Sequence, residues 1–218
     1  VDVADPARGA LVQQRQAHGA LGSGGQPPRP LGEQRRRGLL GAVPRGDHAD
    51  AGAVADVEGV VDMTLDATQK LDAPITVERL FGWHAALFPT GRSGRLKIVV
   101  GGWRTEQSGA MQVVSGPVGR EHVHFEAPEA KRLDNEMRTF LDWFNADQAS
   151  DPVIRAAIAH LWFVTIHPFE DGNGRIARVI ADLALARSEQ SVQRFYSMSA
   201  QIRKERNAYY DALEKTQR

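Results

Sequence analysis

The chain has 218 residues, 27 Lys and Arg against 27 Asp and Glu, and no cysteine. This length fits one domain of generous size, or one domain with an appendage. The lack of cysteine excludes disulfides, cysteine nucleophiles and thiolate zinc sites, and the charge balance argues against nucleic acid as a partner. No apolar run approaches the ~20 residues of a membrane span. We therefore expect a cytoplasmic protein with no membrane partner.

Aromatic residues divide the chain into two parts. Every Phe, Trp and Tyr lies at or after Phe81, and such residues dominate protein cores. Residues 1–55 are rich in Arg, Gly, Ala and Pro without a helical or strand period, so we predict a poorly ordered or atypical N-terminal segment. A basic arm that binds nucleic acid and an out-of-frame translation are alternatives for it. We assign residues 56–218 to one domain.

The first predicted elements are two helices and three short strands. A helix from about Asp56 would bury one face, and Thr76 is a plausible N-cap for a second helix that ends at Pro89. Turn residues between two short β-prone runs then predict a hairpin. The face of the first helix comprises Val57, Val60, Val61, Leu65 and Thr68, and the β-prone runs are Leu96–Val100, Met111–Val114 and His122–Phe125.

The remainder of the chain has mostly helical periods. The predicted helices cover residues 130–146, a segment opened by Asp151 and Pro152 that stops before Pro168, residues 174–187, and residues 200–215. The apolar faces predicted for the first three of these helices are, in order, Leu133, Met137, Phe140, Leu141 and Phe144; Ile154, Ile158, Leu161, Trp162 and Thr165; and Ile176, Val179, Ile180 and Leu183. Proline at the first helical position favours a helix start, and the residue before a proline disfavours helical geometry. The fold class is therefore mainly all-α, a helical bundle with one small β-hairpin.

One stretch between two predicted helices carries the chemistry, running from His167 to Arg178 as HPFEDGNGRIAR. Its glycines allow backbone conformations closed to other residues, and the loop leads directly into a helix N-terminus, which favours anions. Arg175 and Arg178 share a helix face. Asp171 offers a hard oxygen ligand for Mg²⁺, and His167 exchanges protons near neutral pH. The pattern indicates phosphate-transfer chemistry.

This stretch resembles the Fic-family signature H-x-F-x-[D/E]-G-N-G-R-x-x-R at every specified position. The stretches LFGWH at 80–84, MQVVSG at 111–116 and RFYSMS at 194–199 resemble a longer bacterial subgroup of that family. The resemblance covers about Asp56 to Gln217, and it implies a Fic domain over 56–218 with a catalytic core of about 76–218. It implies a Fic-type helical bundle and a protein adenylyltransferase, which transfers AMP from ATP to a Ser, Thr or Tyr hydroxyl of a target protein and releases pyrophosphate.

The resemblance also implies a role for each matching residue. His167 would be the general base, Asp171 would bind Mg²⁺, and Phe169 would anchor the loop in the core. The 111–126 hairpin would hold the target segment by strand pairing, and a homodimer is compatible with the family. The nucleotide-binding residues would be Gly172, Asn173, Gly174, Arg175 and Arg178 at the phosphates, with Tyr209 and Tyr210 near the adenine.

Several alternatives stay open at this point. The chain could be a truncated or non-catalytic Fic module that binds nucleotide or a partner without turnover, or a Fic enzyme that uses another nucleotide or removes AMP. The family's inhibitory pattern [S/T]-x-x-x-E-[G/N] fails at its one candidate, Glu58-Gly59, because position 54 is Val. His122 and His124 could form a metal pair, but no third ligand is evident. We expect His84 and His160 to be packed helix histidines.

Overall fold

The computed structural model describes residues 13–16, 48–115, 120, 122–146, 151–193 and 196–217. These residues form seven α-helices and five short strands, with two single-turn 3₁₀ helices at Glu106–Ser108 and Ala130–Arg132. The strands are β1 (Gln13–Gln16), β2 (Arg92–Ser93), β3 (Leu96–Lys97), β4 (Met111–Ser115) and β5 (His122–Glu126). The helices are α1 (His48–Gln69), α2 (Val77–Leu87), α3 (Leu133–Asn145), α4 (Pro152–Ile166), α5 (Asn173–Glu189), α6 (Met198–Lys204) and α7 (Arg206–Thr216).

Helix α5 lies at the centre of the bundle, where it packs against α4, α1, α2 and α6. The sequence predicts its buried face correctly, since Ile176, Val179, Ile180 and Leu183 are all buried. The same holds for α3, whose five predicted apolar residues are buried. The mainly all-α fold class is confirmed. None of the described helices is long and apolar enough to cross a membrane.

The predicted face of α1 is partly wrong, because the helix is rotated about its axis relative to the prediction. Thr68 is buried and Val60 packs against the core, as predicted. Val61 and Leu65 are exposed, whereas Met63 and Ala67 are buried. A side chain at Gly59 would place its Cβ 2.1 Å from the Ala86 carbonyl oxygen of α2. The small residue therefore allows a close approach between the two helices, and this approach decides which face of α1 is buried.

Helix α4 shows a similar difference. Its N-cap is confirmed, because the Asp151 carboxylate accepts hydrogen bonds from the backbone N–H groups of Val153 and Ile154. Two of its apolar residues, Ile154 and Ile158, are exposed. The buried face instead contains the small side chains that permit close contact with α5, together with larger residues. It comprises Ala156, Ala159, His160, Phe163 and Ile166.

The C-terminal helix predicted over 200–215 is two helices, because the helical conformation is interrupted at Glu205. The first of them, α6, begins two residues earlier than predicted, at Met198, and the Ser197 hydroxyl caps it by accepting a hydrogen bond from the Ala200 N–H. The second helix, α7, has one face directed toward α4.

The strands form two small antiparallel sheets. In the larger sheet the strand order is β1-β4-β5, and in the smaller one β2 pairs with β3. The run predicted over Leu96–Val100 is therefore a strand only at Leu96–Lys97. The β4–β5 hairpin is confirmed, while its turn residues 116–119 lie outside the described residues.

The segment predicted to be poorly ordered contains two described elements. Strand β1 pairs with β4, and α1 begins at His48 rather than near Asp56. The short strand escapes a pattern-based prediction because its residues are Gln and Arg, which have no apolar alternation. The other residues up to position 47 lie outside the described residues.

Candidate active site

The loop from His167 to Gly172 joins the C-terminus of α4 to the N-terminus of α5, the two helices of the central pair. His167 ends α4 in the left-handed conformation (φ 52°, ψ 57°). Gly172 begins α5 with φ 85°, and a Cβ there would lie 3.0 Å from Phe88 Cε2. Glycine suits this position because other residues rarely adopt such a φ.

Asn173 holds the loop closed through two hydrogen bonds to one residue. Its Oδ1 accepts from the Phe169 N–H at 2.9 Å, and its Nδ2 donates to the Phe169 carbonyl at 2.8 Å. The Asn173 side chain is fully buried, and the Phe169 ring lies in the core as predicted. Within this arrangement the Asn173 side chain shapes the loop, and only its backbone can face a ligand.

A buried arginine ties the loop to the segment that precedes the hairpin. Arg104 Nε donates to the His167 carbonyl at 2.8 Å, and the Arg104 N–H donates to the Pro168 carbonyl at 2.9 Å. Its guanidinium also donates to the Pro128 carbonyl, just after β5. A buried carbonyl without a partner is costly, so Arg104 fixes the backbone at His167 relative to the hairpin.

Glu170 forms a second tie on the other side of the loop. Its carboxylate accepts hydrogen bonds from the Val99 N–H at 2.9 Å and from the Ser108 hydroxyl. The loop is therefore held by hydrogen bonds from Asn173 at the start of α5 and from the segment 99–108.

The position of the proton on His167 follows from its hydrogen bond. Nδ1 lies 3.1 Å from the Val164 carbonyl, and a carbonyl can only accept, so Nδ1 carries the proton and Nε2 carries the lone pair. Burial lowers the pKa of His167 to about 4, and the nearby Arg104 charge acts in the same direction. The ring is therefore neutral at pH 7, in the state that can accept a proton.

Asp171 has a carboxylate that is oriented yet accessible. Oδ1 accepts from the Gly172 N–H at 2.6 Å, and Oδ2 accepts from the Ser93 hydroxyl of β2. Oδ2 also lies 3.7 Å from an Arg175 guanidinium nitrogen, and the side chains of Arg175 and Asp171 are 26% and 35% exposed. The Arg175 guanidinium stacks over the Phe88 ring at 4.8 Å. A ligand can reach both charges.

Arg178 lies one turn further along α5 and is half-buried. Burial lowers its pKa. Among the residues that the structure describes, no carboxylate lies within salt-bridge distance of its guanidinium. The charge of Asp182, one turn further along α5, acts on Arg178 and partly offsets the effect of burial. A half-buried cation without a direct anionic contact is still unfavourable. Together with the helix N-terminus, it provides positive potential suited to a bound anion.

His84 is a packed helix histidine, as expected from the sequence. It is fully buried, and its ring stacks on Phe169 with 4.1 Å between centroids. Gly101 N–H donates to Nδ1, so the proton is on Nε2, which donates to the Asp171 carbonyl at 3.2 Å. Burial lowers the pKa of His84 to about 4, which keeps this neutral bridge intact.

The two tyrosines of α7 approach α4 near Arg178. The Tyr209 hydroxyl lies 3.0 Å from His160 Nε2, and its ring is 5.3 Å from that of Tyr210. His160 is buried, as expected, and burial lowers its pKa to about 4. Burial raises the pKa of Tyr209 to about 12. Tyr210 is exposed and stacks with Arg206, so it is the more accessible of the pair.

The structure thus brings His167, Asp171 and the loop glycines together with Arg175 and Arg178 at one end of α5. Sequence reasoning missed Arg104, Ser93 and Glu170, which orient the loop. Glu170 lies inside the motif at a variable position, and the other two are far away in sequence. No local pattern pointed to them.

Comparison with known proteins agrees with this architecture. Residues 74–185 match the Fic/DOC family. The protein adenylyltransferase fic-1 of Caenorhabditis elegans is 35% identical over 92 residues, which are 41% of this chain and 17% of that protein. A probable protein adenylyltransferase of Aquifex aeolicus is 36% identical over 61 residues, 28% of this chain and 19% of that protein. The chain spans less than a fifth of either relative.

Among solved structures, a crystal structure of a Fic family protein from Desulfovibrio desulfuricans superposes with a TM-score of 0.52 at 26% sequence identity. The superposition covers 80% of this chain and 47% of that one. The family match spans more than half of the chain and includes the whole loop with the start of α5. The chain therefore belongs to the Fic/DOC family.

Proposed function

We propose that this protein is a Mg²⁺-dependent protein adenylyltransferase, which transfers AMP from ATP to a Ser, Thr or Tyr hydroxyl of a target protein and releases pyrophosphate. One observation carries the proposal. A neutral His167, with its lone pair on Nε2, stands at one end of a loop whose other end is the cationic N-terminus of α5. The curated relatives are named protein adenylyltransferases, and we extend that activity to this chain.

In the proposed reaction His167 takes the proton of the attacking hydroxyl. The hydroxyl oxygen forms a bond to the α-phosphorus while the bond to the pyrophosphate leaving group breaks. A positioned general base typically contributes ~10²–10⁴-fold to a rate. Arg104 has no contact with the substrate in this scheme, but it fixes the backbone of the base through the His167 carbonyl.

The α5 N-terminus supplies the anion site. Phosphoryl and nucleotidyl transfers depend mainly on positioning and charge neutralisation. The backbone of Gly172, Asn173 and Gly174 would cradle the phosphates, with the N–H groups of Asn173 and Gly174 as donors because the Gly172 N–H already donates to Asp171 Oδ1. Arg175 would hold the phosphates in line, and Arg178 would contact the terminal phosphate. Arg178 is suited to this role because, among the described residues, no carboxylate lies within salt-bridge distance of its guanidinium, and the charge of Asp182 acts on it only from further away.

Asp171 fits a Mg²⁺ ion that arrives with the nucleotide. Mg²⁺ at nucleotide sites is usually held by one or two carboxylates together with phosphates and waters. Asp171 is one accessible carboxylate, oriented by Ser93 and by the Gly172 N–H. The ion would neutralise charge on the phosphates. Every other contribution to the proposed reaction comes from the chain's own residues.

Tyr209 and Tyr210 would contact the adenine, and the hairpin at 111–126 would bind the target. Strand addition needs an edge that accepts an extended segment. Strand β1 pairs with β4 over Gln13↔Val114 to Gln16↔Met111, so this edge can pair with an extended segment, and a target bound there would take the place of β1. We keep residues 56–218 as the proposed Fic domain, with residues 76–218 as its catalytic core.

The test is intact-mass analysis of the purified chain incubated with ATP and Mg²⁺, with His167→Ala treated in parallel. Self-modification serves as the readout because the target is not identified. We expect one or more additions of the mass of AMP on the wild type, reduced at least about 100-fold in rate in His167→Ala.

Arg178→Ala and Arg138→Ala provide a matched pair of charge deletions. Arg138 is exposed on α3, and its hydrogen-bond partner within the described part of the chain is Asn135, so its loss should leave the rate unchanged while Arg178→Ala lowers it. Equal rates for Arg178→Ala and Arg138→Ala would contradict the phosphate role of Arg178. A folded wild type that binds ATP without adding AMP would contradict the transferase activity, and the same assay with other nucleotides would then identify another donor.

A further inference from the structure

A cluster of three side chains that could hold a metal ion lies outside the loop, between the hairpin and the last helix. His122 and His124 belong to β5, and Glu214 belongs to α7. One potential ligand atom from each residue lies within 4.8 Å of the other two. His124 Nδ1 is 3.1 Å from Glu214 Oε2, although the two residues are 90 positions apart in sequence.

The local geometry of β5 accounts for the closeness of the two histidines. Val113 pairs with Phe125 and Val114 pairs with Val123, so His124 is an extra residue in a β-bulge. Bulges redirect side chains and are conspicuous near functional sites. The rings of His122 and His124 lie edge to face with 4.6 Å between their centroids. The alternation of side chains along the strand suggests only a pair of histidine ligands, and Glu214 of α7 adds the third ligand.

We propose that His122, His124 and Glu214 bind a Zn²⁺ ion that links the hairpin to α7. Two imidazoles and one carboxylate are a set of protein ligands typical of zinc, with water in the fourth position. Adjacent ligand atoms of a tetrahedral zinc ion lie about 3.3 Å apart, given bond lengths near 2.0–2.2 Å. The His124–Glu214 separation of 3.1 Å already has this value.

Little rearrangement would close the remaining distance. His122 is exposed, and the side chains of His124 and Glu214 are 26% and 27% exposed. The His122 ring can therefore rotate without disturbing the core, and an ion from solution can reach all three ligands. Imidazole suits transition metals of the zinc type, whereas Mg²⁺ and Ca²⁺ prefer sites made of oxygen. The site is thus distinct in chemistry from Asp171.

The consequence is a link between two functional regions. Glu214 lies one turn beyond Tyr210 on α7, and β5 is the outer strand of the hairpin. A bound ion would fix the hairpin relative to the helix that carries Tyr209 and Tyr210. Zinc binding itself does not depend on the proposed transferase activity, so the two proposals fail separately.

The experiment measures Zn²⁺ binding to the full chain by isothermal titration calorimetry, together with the melting temperature with and without Zn²⁺. We expect one ion per chain and a rise in melting temperature, because a ligand that binds only the folded state stabilises it. His122→Ala, His124→Ala and Glu214→Gln should each weaken Zn²⁺ binding at least about tenfold, since the loss of even an indirect partner of a metal costs 10–100-fold.

Glu126→Gln is the matched control, because Glu126 is an exposed carboxylate on the same strand that bonds to Gln112 outside the cluster. It should bind Zn²⁺ as the wild type does. Co²⁺ gives a second readout, since its visible absorption reports imidazole and carboxylate ligation. Wild-type binding no tighter than that of Glu214→Gln, or an unchanged affinity in His122→Ala, would overturn the site and leave His124–Glu214 as a hydrogen-bonded pair only.

Discussion

Gly172→Ala tests whether the start of α5 depends on a backbone conformation that only glycine adopts readily. Gly172 has φ 85°, and a Cβ there would lie 3.0 Å from Phe88 Cε2 and 3.3 Å from Leu87 Cδ1. The left-handed conformation costs a residue with a Cβ roughly 1–2 kcal/mol, and the contacts with buried rings and methyl groups add to this. We expect a loss of about 2 kcal/mol in the free energy of unfolding.

Gly82→Ala is the control in the same chain. Gly82 lies inside α2, is exposed, and has no atom within 4 Å of an added Cβ. Alanine there should raise the free energy of unfolding by about 0.5–1 kcal/mol, because glycine within a helix is entropically costly. Urea denaturation of the wild type and the two variants would therefore show shifts of opposite sign.

Two outcomes would refute this reasoning. If Gly172→Ala were neutral or stabilising, the conformation at Gly172 could not be the constraint that places glycine there. If both substitutions lowered the free energy of unfolding equally, an added methyl group would be destabilising at either position, and the effect at Gly172 could not be attributed to its φ angle. We also expect Gly172→Ala to reduce AMP transfer more than its stability loss explains, since the Asp171 carboxylate bonds to the Gly172 N–H.

Two further predictions concern the contact between α1 and α2. Gly59→Ala should destabilise the protein more than Gly172→Ala, because its Cβ would lie 2.1 Å from the Ala86 carbonyl oxygen; equal urea midpoints would contradict the close approach. Asp66→Asn should lower the free energy of unfolding by about 2 kcal/mol at neutral pH. Burial alone would raise the pKa of Asp66, but hydrogen bonds from Lys70, Arg79 and Trp83 outweigh it and lower the pKa to about 2. The unfolded state therefore takes up the proton first as the pH falls from 3.8 to about 2, so the advantage of the wild type should disappear over that range; an advantage independent of pH would contradict the assignment.

The sequence predicts the buried face of a helix well where large apolar residues alone fill it. Helix α3 buries Leu133, Met137, Phe140, Leu141 and Phe144, as the periodicity requires. The prediction fails where small residues create the contact between two helices. In α1 the close approach at Gly59 buries Met63 and leaves Val61 exposed. A hydrophobicity pattern ranks valine above glycine and so selects the wrong side.

The candidate site divides in the same way. The loop motif lies in consecutive residues, so its base, anion site and carboxylate are readable from the chain. The groups that orient the loop come from elsewhere, as Arg104 is 63 positions from His167 and Ser93 is 78 positions from Asp171. Likewise, Glu214 joins His124 only through the packing of α7. Contacts of this kind depend on tertiary structure, for which a single sequence carries no local signal.

The polar groups of the loop are satisfied, whereas no carboxylate among the described residues lies within salt-bridge distance of Arg178, and this contrast makes a final prediction. The charge of Asp182 acts on Arg178 only from further away. A half-buried cation without a direct anionic contact destabilises the free protein, and a bound phosphate removes that cost. Arg178→Met keeps most of the side-chain volume without the charge. Without nucleotide, this variant should have a free energy of unfolding higher by on the order of 1 kcal/mol, and therefore a higher melting temperature. It should lose most of the stabilisation that ATP gives the wild type. A thermal shift assay with and without ATP distinguishes the cases. If Arg178→Met were less stable without ATP, the guanidinium would serve the fold; if ATP stabilised it as much as the wild type, the phosphates would lie elsewhere.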